Sequence, residues 1–256
     1  MLTFDIISAF PHIQHFFDHG VMKRAIDDRN IQLQAWNPRL ASNTRYQAID
    51  DKAFGGGPGQ VVRSDILETT LNNIPHRHPK RKTIFLSPDG APLTHAKAIE
   101  LGQQNQIIMI CGRYEGIDQR FIQLKVDECI SIGDYVLTGG ELPALVLCEA
   151  VTRLLPGVVG NSLSVDEDSF VDGCLDHPHY TKPLLFHGHK VPEVLRSGNH
   201  SAIRAWRRMM ALGNTWLKRT DLLVGQQLSH DDILLLSQFM TTENMRNNDD
   251  EFDRQN

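Results

Sequence analysis

With only four cysteines in 256 residues, and no CxxC pair among them, the chain is neither a disulfide-stapled secreted scaffold nor a cysteine-based zinc module. Cys111, Cys129, Cys148 and Cys174 stand singly in apolar surroundings and read as free thiols. No stretch approaches the roughly 20 apolar residues that span a bilayer, and no charged leader precedes an apolar segment. A cytoplasmic protein without a membrane partner is therefore expected. Positive charge is not in excess either. A formal net charge of −5 excludes a protein that coats nucleic acid, DNA included, through a global positive field. The chain does not open with a strand and GxGxxG, and the glycine run at Gly55–Gly59 lacks the Lys-Ser/Thr of a phosphate-binding P-loop. Internal repeats and coiled-coil heptads are missing too.

What is present is an α/β rhythm in a chain that is 41% hydrophobic, enough for one substantial core and a smaller second unit. The apolar runs Phe4–Ile7, Ile31–Trp36, Thr83–Leu86, Ile107–Cys111 and Val126–Ile132 read as strands. Helical patterns fall near His15–Ile26, Ser64–Ile74, Thr94–Gly102, Ile117–Leu124 and Leu142–Leu155. Runs apolar on both faces suit central strands of a parallel sheet covered by helices. A first domain is thus expected over 1–159. Residues 160–175 turn small and acidic and read as a flexible linker. A small helical domain follows over 176–240, with helices near His200–Leu212 and Asp231–Met240, and the polar tail 241–256 reads as disordered. Between Asp176 and Gly225, eight basic residues face three acidic ones, so the second domain carries a local positive charge that the whole chain lacks.

Four glycine-bearing segments end apolar runs: Asp50–Gly59, Leu86–Gly90, Cys111–Asp118 and Ile132–Pro143. In open α/β sheets, ligands bind beyond the carboxyl ends of the strands, where such loops offer backbone groups. Several histidines, His177, His179, His187, His189 and His200, crowd the sequence near Asp176, but their spacing matches no standard metal motif. We expect no metal there, and a turn around Pro178 and Pro183 instead.

The four segments resemble the signature blocks of the bacterial tRNA (guanine-N1)-methyltransferase family, TrmD, a branch of the SPOUT methyltransferases. The likeness continues through Arg153–Val158, Glu167–Phe170, Leu175–Pro183, Val191-Pro192, Ser197–His200 and Trp206-Arg207. It departs from the family's usual residues at Phe54, Gln60, Asp89, Gln119 and Lys182, positions that bear on base stacking and phosphate contact.

The resemblance implies a SPOUT-type parallel sheet with a deep trefoil knot, a small C-terminal helical domain that binds tRNA, and a homodimer with shared active sites. It implies methyl transfer from S-adenosylmethionine to N1 of guanosine 37 of tRNA, just 3′ of the anticodon, which helps to maintain the reading frame. The cofactor would be held by Leu86, Ser87, Gly112, Tyr114, Glu115, Gly116, Ile132, Gly133, Tyr135, Val136, Leu137, Gly139, Gly140 and Pro143. By the same resemblance Asp168 is the general base and Arg153 stabilises charge on the guanine O6. The RNA falls to Asp50, Gly57, Gly59, Asp176, His179, Ser197, Asn199 and Arg207. Because Asp168 lies in the linker, it is expected to become ordered only when RNA arrives. Similar enzymes use magnesium, and nothing in this chain marks a site for it. A ribose 2′-O-methyltransferase of the same class and a noncatalytic RNA-binding protein are the alternatives.

Overall fold

The computed structural model describes residues 1–76, 80–160 and 167–255, with side chains described as far as Thr242. The chain forms two compact units, Met1–Ser162 and Leu163–Asn256. Among the described residues, no helix is long and apolar enough to cross a membrane.

The first unit runs β1 (Leu2–Ile7), α1 (Gly20–Asp27), β2 (Ile31–Trp36), β3 (Asp50–Lys52), β4 (Gln60–Val62), α2 (Ser64–Asn73) and β5 (Arg81–Pro92). It continues with α3 (His95–Gly102), β6 (Gln106–Cys111), α4 (Gln119–Lys125), β7 (Glu128–Ser131) and α5 (Glu141–Thr152). Five strands make one sheet in the order β2-β1-β6-β5-β7, and each neighbouring pair is parallel. Every residue of β1 and β6 is buried, as continuous apolar runs demand of central strands.

Along β6, side chains alternate between faces. Ile107, Met109 and Cys111 join a core with α1, α3 and α5, whereas Ile108 and Ile110 join a second core with α2 and α4. Asp5 is buried within β1, and its carboxylate accepts from Trp36 Nε1 (2.8 Å) and Gln106 Nε2 (2.7 Å), partners that offset its desolvation. Covered on both faces, the sheet leaves its carboxyl edge for loops.

Several boundaries differ from the sequence reading. The helix expected over His15–Ile26 is a 3₁₀ turn, Pro11–Phe17, followed by α1; Gly20, at φ +71, forms the joint. Strand β5 is longer than Thr83–Leu86. It bulges between Leu86 and Ala91, so Ser87–Gly90 leaves the regular ladder that pairs β5 with β7. The hairpin β3–β4 was not foreseen: its strands are three residues each, too short to show a period.

The second unit holds the hairpin β8 (Leu185–Phe186) and β9 (His189–Lys190), then α6 (His200–Lys218) and α7 (His230–Gln255). α6 runs past Leu212 because Gly213 remains helical and lets the ring of Phe239, on α7, press against it. Helix α7 runs on past Met240 to Gln255, through a stretch read as disordered that contains neither proline nor glycine to stop it.

Of the segment read as a linker, 161–166 lies outside the described residues. The remainder is tied to α6. Leu175 N–H donates to Thr215 Oγ1 (2.8 Å), Asn214 Nδ2 to the Asp176 carbonyl (3.1 Å), and Asp176 N–H to Ser169 Oγ (2.9 Å). Arg208 adds a bidentate pair with Asp232 (2.7 and 3.1 Å) and an ion pair with Asp172, which lies in the same turn as Asp168. The α6 partners lie 36 to 40 residues off in the sequence, which is why composition alone suggested flexibility.

Candidate functional site

The carboxyl ends of β5, β6 and β7 feed three loops that close around one cavity of about 290 Å³, near the lower limit of common small-molecule sites. Leu86, Ser87, Gly112, Tyr114, Glu115, Gly116, Ile132, Gly133, Tyr135, Val136, Leu137, Gly139, Gly140 and Pro143 all line it. Arg113 and Thr138, inside the expected loops, and Phe85, Pro88, Ile130 and Ser131, which were not foreseen, complete the wall.

Loop-to-loop contacts are made by backbone. Gly140 N–H donates to the Gly112 carbonyl (3.0 Å), and Arg113 bridges Gly139 in antiparallel fashion. A Cβ on Gly140 would lie 2.7 Å from Cys111 Cα and 3.1 Å from Gly112 N, so only glycine allows the start of α5 to pass so close beneath β6. Tyr114 holds a left-handed conformation, φ +58, unusual for a non-glycine residue and found here in the cavity wall.

A half-buried ion pair fastens the same loops. Glu141, the first residue of α5, accepts from Ser8 Oγ (2.8 Å) and from Arg113 Nε (3.3 Å), and its second oxygen lies 3.0 Å from an Arg113 guanidinium nitrogen. The Arg113 guanidinium also covers the Phe10 ring at 4.3 Å. Arg113 and Glu141 are 28 residues apart, so sequence patterns gave no sign of the strap.

The RNA candidates divide between the units. In the first, Asp50 starts β3, and Gly57 and Gly59 lie in the turn that returns to β4. That hairpin is stitched to the cavity loop: Glu115 N–H donates to the Gln60 carbonyl and Val62 N–H to the Gly116 carbonyl, each at 3.0 Å. Arg153 follows the last turn of α5.

In the second unit, Asp168 is half-buried in the turn before α6. Arg207, on α6, lies 3.8 Å from Glu167, the residue before Asp168. Asn199 caps α6 by accepting from Ser201 and Ala202 N–H, and Ser197 Oγ donates to the Val194 carbonyl (2.8 Å). His179 Nε2 lies 2.8 Å from Asp176 Oδ2. Although burial opposes it, hydrogen bonds from His179 and from the His177 backbone hold the Asp176 carboxyl below its ordinary value.

Comparison with known proteins bears on this arrangement as a whole. The family model described as tRNA (Guanine-1)-methyltransferase TrmD matches residues 2–225. A protein named tRNA (guanine-N(1)-)-methyltransferase from Stutzerimonas stutzeri (strain A1501) is 49% identical over 245 residues, 95% of this chain and 98% of the relative.

The chain belongs to this family.

A relative of the same name from Chromobacterium violaceum is 46% identical over 96% of this chain and 98% of its own length. Another, from Pseudomonas aeruginosa (strain UCBPP-PA14), is 49% identical over 92% and 94%. As a TrmD-family chain, the protein carries its glycine loops on the sheet edge where an α/β fold binds ligands.

The loop Gly112–Gly116 ends at a helix cap with a pH signature. Asp118 accepts from Arg120 N–H (2.9 Å) and pairs with the Arg120 guanidinium. Its pKa falls from 3.8 to about 2, first through the Arg120 side-chain hydrogen bond. A carboxyl lowered on folding contributes stability that is present above 3.8 and is lost as the pH falls towards about 2. Asp118→Ala should therefore cost about 1 kcal/mol at neutral pH. Urea unfolding of Asp118→Asn, which keeps a cap without the charge, should show a flatter acid dependence than the wild type.

Proposed function

We propose that this protein transfers a methyl group from S-adenosylmethionine to N1 of a guanosine in tRNA, at position 37 on the 3′ side of the anticodon. The observation that carries this reading is the backbone-built cavity between Leu86-Ser87, Gly112–Gly116 and Ile132–Gly140 in a chain of the TrmD family. The donor fits these walls. Ile132, Leu137 and Phe85 offer apolar surface, the loop backbones offer hydrogen-bonding edges for an adenine, and the Gly140 contact leaves the close approach that a side chain would fill.

The bound donor supplies a methyl group already activated by its sulfonium centre. What remains for the protein is to position the base, exclude water and move one proton. Neutral guanine carries a hydrogen on N1. The Asp168 carboxylate takes that proton as general base, and the Arg153 guanidinium stabilises the negative charge that then gathers on O6. Asp50, Gly57 and Gly59 on the first unit, and Asp176, His179, Ser197, Asn199 and Arg207 on the second, hold the RNA. Magnesium favours a shell of oxygens. The gathered ligand set found among the described residues has two imidazoles and one carboxylate, a poor fit to magnesium.

The family resemblance brings a knotted first domain, a tRNA-binding second domain, a cytoplasmic setting and a homodimer in which each active site is shared. Support for a knot lies in the Ile132–Gly140 segment, which runs against the Gly112–Gly116 loop before α5 begins. Support for a dimer lies in a groove lined by Phe16, Val21, Leu142 and Val146, all exposed on the single chain. Mixing an Asp168→Ala chain with a chain defective in the cofactor loops should restore activity in one of the two sites of a mixed dimer. No recovery would count against sharing.

The substrate test is direct. After incubation with methyl-labelled S-adenosylmethionine and tRNA, digestion should release the label as 1-methylguanosine, and changing the target guanosine should abolish it. Label on a ribose 2′-oxygen would instead support the sister chemistry.

A further inference from the structure

An irregular segment of the second unit gathers Asp176, His177 and His179 so that one ligand atom from each lies within 4.8 Å of the other two. The geometry is more specific than a chance crowding of polar groups. His177 Nδ1 is 3.2 Å from the Pro178 carbonyl, which can only accept, so Nδ1 carries the proton. Its Nε2 lone pair is left free for a ligand role, 3.8 Å from Asp176 Oδ1. A metal-binding histidine is typically oriented in this way, with the far N–H donated to a carbonyl.

The segment is also held in place before any ion arrives. Asp176 is tied through its N–H to Ser169 and through its carbonyl to Asn214, and Asp176 Oδ1 accepts from His177 N–H (2.6 Å). The His177 side chain is only 10% exposed, with its ring 6.3 Å from that of Trp206 on α6. His179, 72% exposed, turns the cluster's remaining side to water, so coordination positions stay open.

We propose that Asp176, His177 and His179 form a binding site for a divalent ion of the zinc class. Two imidazoles and one carboxylate suit zinc, cobalt or nickel, whereas magnesium prefers oxygens and gives up its water reluctantly. The proposed function assigns Asp176 and His179 to RNA. Resting on that reading, the ion and the RNA compete, and a zinc-class ion inhibits by occupying the side chains the substrate needs.

Cobalt is the probe, because it takes zinc sites and absorbs visibly. Titrating the full chain with Co²⁺, without RNA or cofactor, should give one saturable ligand-field spectrum that Zn²⁺ abolishes and a large excess of Mg²⁺ leaves intact. His177→Gln should weaken Co²⁺ binding by about tenfold or more. His179→Gln, at an exposed position that does not endanger folding, should do the same. Identical titrations for the wild type and both variants, or no saturable spectrum, would overturn the site. Adding tRNA should release the cobalt. If tRNA binds while the spectrum persists, the competition and the RNA role of Asp176 and His179 are wrong, and the metal site stands.

Discussion

Asp168→Ala should lower turnover by about 10²- to 10⁴-fold, the range that a positioned general base contributes, while leaving S-adenosylmethionine affinity unchanged. The reason lies in the acceptor. Guanine N1 is not nucleophilic until its proton leaves, so loss of the carboxylate acts on the chemical step and not on donor binding. Asp168 sits in a turn whose following residues are fastened to α6 through Thr215, Asn214 and Arg208. Alanine there removes a carboxylate without cutting those ties. Single-turnover rates with saturating RNA, together with calorimetry for the donor, separate the two quantities. An undiminished rate would remove Asp168 from the mechanism.

Gly140→Ala should have the opposite signature, with donor affinity falling by about a hundredfold, the scale on which ångström misplacement acts. The added Cβ would meet Cys111 Cα at 2.7 Å and Gly112 N at 3.1 Å. Both are backbone atoms, so no side-chain rotation relieves the clash. Either α5 slides or the Gly112–Gly116 loop opens, and each displaces residues that line the cavity. The half-buried Glu141–Arg113 pair next to this point means that a shift of α5 also loosens the strap. Equilibrium binding of the donor gives the affinity, and a melting curve separates loss of the pocket from loss of the fold.

The parts legible in the sequence were those governed by local rules. Continuous apolar runs marked β1 and β6 as buried strands, and glycines at strand ends marked the loops that meet in the cavity. Long-range contacts were invisible. Ser8 reaches Glu141 across 133 positions, and nothing in the pattern of either segment announces it. The strands β3, β4, β8 and β9 are two or three residues long, too short for alternation to register. The segment around Asp168 is polar and acidic, which normally signals flexibility. Its order comes from α6 and from Arg208, whose guanidinium is shared between Asp172 and Asp232. Asp176, His177 and His179 were visible as residues but matched no spacing rule, because an irregular segment through Pro178, and not a helix or a knuckle, brings their ligand atoms together.

Amide hydrogen exchange, followed residue by residue with and without S-adenosylmethionine, asks most directly whether the donor lies where the three loops meet. Slowed exchange is predicted for Ser87, Gly112–Gly116 and Ile132–Gly140, with no change in the β8–β9 hairpin. Protection confined to other segments, or none at saturating donor, would contradict the account at its centre.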